Sequence, residues 1–165
     1  MPEELIKRLR TMPDAKKIAL AIYGESVAAY RYSILAEKST SAEHRRVFED
    51  MKAEELGHQT ALERLAASSF PDGNFVLSAA DKELIIAGTR MLDVTTPAAF
   101  RRAMQFLHDT ELRTGRFYDA LHELMPAGEL GVFLKEMAAE CYEHGASLLR
   151  IDPPACTSAS TATGE

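Results

Sequence analysis

The chain has 165 residues and a net charge of -6. That length suits a single hydrophobic core, and basic residues interleaved with acidic ones exclude a nucleic-acid binder built on clustered Lys and Arg. The two cysteines, Cys141 and Cys156, form no CxxC pair, so neither a disulfide framework nor a four-cysteine iron site can be assembled from these residues. The stretch from Met1 to Arg10 lacks the apolar run of a secretory signal, and no later run approaches the ~20 apolar residues of a membrane span. A cytoplasmic protein that engages neither membrane nor nucleic acid is expected.

Four segments carry apolar residues at helical period. The first is predicted from Asp14 to Ser39. The second starts after Thr40, which with Glu43 three residues on suits a capping box, and continues to Ala67. The third opens at Thr96-Pro97, a cap residue followed by proline in the first turn, and runs to Met125, where Pro126 breaks it. The fourth runs from Gly128 to Ile151 and stops before Asp152-Pro153-Pro154. Residues 1–151 are thus expected to form the folded domain, with 152–165, rich in Ser, Thr and Ala, as a disordered tail.

The connection from Ser68 to Thr95 is far longer than the ~2–8 residues that link adjacent antiparallel helices, so it must cross the bundle. Within it, Phe70 to Asn74 reads as a turn, and Asp81 to Leu92 as a candidate short helix. The fold class is therefore all-α: a four-helix bundle of two helical hairpins joined by one long crossover, which is the connectivity of ferritin-like bundles.

Adding 86 to each number superposes the first hairpin on the second without a gap. Glu25 becomes Glu111, Tyr32 becomes Tyr118, Leu35 becomes Leu121, Met51 becomes Met137, Glu54 becomes Glu140, His58 becomes His144 and Leu62 becomes Leu148. This reads as a duplicated helix-loop-helix. In this register the core stripe of the second helix is Phe48, Met51, Glu55, His58, Leu62 and Leu65, and that of the fourth is Leu134, Met137, Cys141, His144, Leu148 and Ile151. Glu25 and Tyr32 fall on the stripe of the first helix, and Glu111 and Tyr118 on that of the third.

Ionised carboxylates in an apolar core cost several kcal/mol each unless paired or bound to a cation, so three inward glutamates and two histidines require a partner. A divalent metal meets that need. Glu55 and His58 lie one helical turn apart and can ligate one ion, while Glu25 and Glu111 can bridge or complete the site.

Gly24-Glu25-Ser26-x-Ala28-x-x-Arg31-Tyr32, together with Glu54-Glu55-x-x-His58, closely resembles the ferritin-like domain of the rubrerythrin family, over about residues 14 to 151. The resemblance implies that Glu25, Glu55, His58, Glu111 and His144 are metal ligands. It also implies that Tyr32 and Tyr118 donate hydrogen bonds to ligating carboxylates of the opposite hairpin. Three departures stand out. Where the fourth helix should read Glu-x-x-His it reads Cys141-Tyr142-Glu143-His144. Glu140, one turn before His144, is the best substitute carboxylate, and Cys141 is the alternative, either as a thiolate ligand that favours zinc or as a small core residue. Thr114 stands where the family carries a further glutamate. Rubredoxin-type cysteines are missing, so electrons must come from a separate donor.

The function implied is a dimetal oxidoreductase, with two iron ions foremost and zinc or a mixed pair as the alternative, that reduces hydrogen peroxide or dioxygen. The rival expectation is a non-catalytic metal-binding or iron-handling protein with a modified site. By analogy with other helical hairpins, a homodimer is expected.

Overall fold

Local end signals set the limits of the long helices. The computed structural model describes residues 2–86 and 92–153, and among them are six helices and no strand: α1 (Pro2–Arg10), α2 (Asp14–Lys38), α3 (Ala42–Ser69), α4 (Ala79–Lys82), α5 (Pro97–Leu124) and α6 (Gly128–Leu148). Thr96 caps α5 by accepting from Ala99 N at 3.2 Å, with Pro97 in the first turn, as its sequence predicts. The cap of α3 is Ser41 and not Thr40. Its backbone stays extended while its Oγ accepts from His44 N at 3.3 Å and its carbonyl takes the first helical bond, from Arg45 N. Gly128 opens α6 at φ 69°, a left-handed turn that glycine adopts without strain. That helix stops at Leu148, ahead of the expected Ile151, because the next bonds tighten to Arg150 N on Ser147 O and Ile151 N on Leu148 O.

The sequence reading missed α1. Nine residues with Leu5, Ile6 and Leu9 are too short to display a period, and the helix depends on what it packs against. Leu9 is fully buried, α1 lies on α5, and Arg8 donates to the carbonyl of Ala80 at 3.0 Å.

The crossover is pinned at α4, which is shorter and begins earlier than the expected Asp81 to Leu92 helix. Ser78 and Asp81 form a complete capping box, and Asp81 Oδ2 also meets Lys16 Nζ of α2 at 2.9 Å. Just beyond, Ile85 lies so close to α2 that a Cβ on Gly24 would sit 2.2 Å from its Cδ1. Residues 87–91, within the predicted crossover helix, and 154–165, within the predicted tail, lie outside the described residues.

Among these elements α2 pairs with α3 and α5 with α6, giving the two hairpins of a ferritin-like bundle. Their apolar faces form two separate clusters. At one end Ile18, Leu62, Leu65, Phe117, Leu121, Leu134 and Met137 pack together. Leu35, Phe48, Met51, Phe100, Met104 and Leu148 fill the other. Between the clusters lies a layer of buried polar side chains. No helix among the described residues is long and apolar enough to cross a membrane.

Hydrogen bonds from Lys16 and Ser78 hold the Asp81 carboxyl down to about 2. A depressed folded-state value adds stability above the ordinary carboxyl range, and that stability is lost as pH falls through about 2. Asp81→Asn is therefore expected to lower the thermal midpoint at pH 7, with the deficit against wild type shrinking between about pH 4 and pH 2. Melting curves across that range test it.

Candidate metal centre

Each long helix delivers polar side chains to the layer between the two clusters. Glu25 comes from α2, Glu55 and His58 from α3, Glu111 from α5 and His144 from α6. The three glutamates are only 1%, 4% and 6% exposed, which excludes a solvated role for them. Their ligand atoms group into two sets, Glu25 with Glu55 and His58, and Glu55 with Glu111 and His144, all within 4.8 Å of one another in each set. Glu55 is common to both. His58 Nδ1 is 3.3 Å from Glu25 Oε2 and 3.5 Å from Glu55 Oε2, and His144 Nδ1 is 3.5 Å from Glu55 Oε1. The two imidazoles stack with centroids 6.3 Å apart.

Without a cation, this cluster balances its charge by sharing protons. Burial pushes the Glu25 carboxyl up to about 8, and burial together with the charge of Glu55 raises Glu111 to about 7. Burial acts the same way on Glu55, but the adjoining His144 and His58 outweigh it and hold that carboxyl near about 2. His58 rises to about 10 because Glu25 and Glu55 overcome the depressing effect of its burial. His144 rises to about 9, chiefly through Glu55.

Two tyrosines cross the layer. Tyr118 donates to Glu25 Oε1 at 2.5 Å and Tyr32 to Glu111 Oε1 at 2.6 Å, each hydroxyl serving the opposite hairpin. Each ring is rooted in a different apolar cluster, so packing fixes the donor and the donor fixes the carboxylate. The other oxygen of Glu25, with Glu55 Oε1 and His58 Nδ1, is buried and makes no well-aligned hydrogen bond among the described residues, although these atoms lie 3.3–3.5 Å from groups of the same cluster. Buried polar atoms left in this way are rare in folded proteins, and carboxylate and imidazole groups converging on one space suit one or two transition-metal ions.

The two predicted substitutes for the missing carboxylate, and other polar residues near the layer, are placed differently. Glu140 lies outside both donor sets, with its Oε2 2.7 Å from the outer nitrogen of His58, Nε2. Cys141 is buried in the apolar cluster and also lies outside both sets; burial, reinforced by the surrounding glutamates, raises its thiol well above the ordinary range and keeps it neutral. Thr114 turns its hydroxyl onto the carbonyl of Thr110 in its own helix, at 3.1 Å. His108 joins α5 to α6 through Nδ1 and the carbonyl of Gly145, at 2.9 Å. Glu54 lies at the surface, outside both donor sets, and its Oε2 accepts from His144 Nε2 at 2.9 Å. Its repeat relation to Glu140 was the available signal of that contact.

Comparison with protein families matches the rubrerythrin model to residues 16–105, more than half of the chain. The chain belongs to the rubrerythrin family. The matched stretch of this rubrerythrin domain covers α2, α3 and the beginning of α5, and with them Glu25, Glu55 and His58. It ends before Glu111 and His144, whose place beside the first three follows from the internal repeat and the geometry. Comparisons with curated proteins and with solved structures find no match.

Two outcomes follow. Protons held by His58, His144, Glu25 and Glu111 must leave when a cation enters, so metal uptake should release protons and tighten as pH rises through about 7 to 10. Calorimetric titration in buffers of different ionisation enthalpy measures that release. Tyr118→Phe removes the donor to buried Glu25 and is expected to destabilise the protein by about 1–3 kcal/mol in denaturant unfolding.

Proposed function

We propose that this rubrerythrin-family chain binds two transition-metal ions, iron foremost, and reduces hydrogen peroxide or dioxygen with electrons from a separate donor. The observation that carries this reading is the pair of buried donor sets joined by Glu55, each with a carboxylate and a histidine of its own. Glu25 and His58 would hold one ion, Glu111 and His144 the other, and Glu55 would reach both. When bound, a ferrous pair would supply the two electrons that, with two protons, reduce hydrogen peroxide to water or dioxygen to peroxide.

The chain's own residues serve that chemistry by orientation and exclusion. Tyr118 and Tyr32 fix the carboxylates of Glu25 and Glu111, and the apolar clusters above and below keep bulk water from the layer. A surface cavity of about 430 Å³, lined by Val47, Asp50, Met51, Glu54 and Glu143, borders His144, the side of the layer from which a small oxidant would approach. These residues include no CxxC pair, which is why a separate electron donor is part of the proposal.

Cys141 and Thr114 favour a second reading, a non-catalytic centre such as structural zinc, because each removes a carboxylate that the family pattern contains. Anaerobic protein loaded with ferrous iron and mixed with peroxide separates the two. The oxidoreductase reading expects oxidation within seconds, followed by visible absorption. Glu55→Ala should slow it by more than the ~10–100-fold typical of supporting residues. Oxidation no faster than that of free ferrous ion, or zinc that iron cannot displace, supports the second reading.

A further inference from the structure

Glu54 and Glu140 occupy equivalent places in the repeat, four residues before His58 and His144 respectively. Each meets the histidine of the other helix. Glu54 Oε2 on α3 accepts from His144 Nε2 on α6 at 2.9 Å, and Glu140 Oε2 on α6 lies 2.7 Å from His58 Nε2 on α3. The contacts are reciprocal and span the face between the two hairpins.

We infer that Glu54 and Glu140 are positioning residues that grip His144 and His58 by Nε2, so that Nδ1 is the nitrogen each histidine offers to a bound metal. The inference rests on the metal-centre reading above and adds to it the ligating atom and the residues that select it. A neutral imidazole carries one N–H, and a carboxylate at Nε2 stabilises the form protonated there, leaving the lone pair on Nδ1. Nδ1 is also the atom that faces the buried carboxylates in both rings. A carboxylate on the far nitrogen restrains the ring and makes the near nitrogen a stronger donor.

Exposure argues against either glutamate being a ligand itself. Their side chains are 56% and 48% exposed, against 2% for Glu25 and 5% for Glu55, and both lie outside the two donor sets. The exchange of partners also ties α3 to α6 in one register: a slip of either helix parts both pairs.

Cobalt(II) titration followed by its visible absorption tests the inference, using Ala and Gln variants at positions 54 and 140. Glu54→Ala and Glu140→Ala are each expected to weaken binding of one ion by about 10-fold or more. Glu54→Gln and Glu140→Gln keep an oxygen acceptor and should restore most of that affinity without changing the cobalt spectrum. Wild-type affinity in the Ala variants overturns the inference, as does equal loss in the Ala and Gln variants, which would make the glutamate a ligand. Should a variant fail to fold, nitrogen NMR of the zinc-loaded wild type decides: both histidines should be metal-bound through Nδ1 with a proton on Nε2, and coordination through Nε2 overturns the inference. Failure of the wild type to bind cobalt or zinc at all would instead overturn the metal-centre reading.

Discussion

Three buried carboxylates and two largely covered imidazoles within a few ångströms of one another dominate the structure. Such a group is stable only if its charge is balanced, and the chain has two means of doing so. Without a cation, the histidines take up protons against Glu55 while burial keeps Glu25 and Glu111 inclined toward their neutral forms. In the proposed metal-bound form, the protons would leave and the same oxygens and nitrogens would become ligand atoms. The proposed metal-bound form would thus replace one balance of charge by another, because acids and bases share one largely buried layer.

The surroundings of that layer are arranged to keep it intact. Apolar clusters above and below prevent the polar side chains from reaching water by a small rearrangement, and each cluster contributes one tyrosine hydroxyl to the layer. Tethering thus comes from both ends of the bundle and crosses between hairpins, so the hairpins cannot separate without stripping Glu25 and Glu111 of their donors. On the α3–α6 face Glu54 and Glu140 extend the same crossed pattern outward to solvent.

The duplication is imperfect where it matters most for chemistry. Glu55 has Cys141 as its repeat equivalent, and Cys141 is a neutral thiol packed among apolar neighbours. Glu55 is consequently the one carboxylate common to both donor sets. Thr114 satisfies its hydroxyl within its own helix and adds nothing to the centre. Compared with the pattern its family resemblance implies, the centre holds fewer carboxylates and relies more heavily on Glu55.

Much of this was legible in the sequence because helical period and the repeat both survive in the one-dimensional order. Glu25, Glu55, His58, Glu111 and His144 fall on core stripes, and a buried stripe position points inward whatever the neighbouring helix is. The four long helices and their crossover follow from the same period, from proline and from cap residues. What the sequence could not supply is distance between helices. Glu140 is near enough in the chain to His144 to look like its companion, but helix packing gives it to His58, and Glu54 to His144. Likewise α1 has too few residues to show a period and acquires its place from α5, and the cap at Ser41 depended on which peptide stayed extended. Residue type and spacing along one helix determined who could take part. Contacts between helices, which depend on how two surfaces interlock, decided who meets whom.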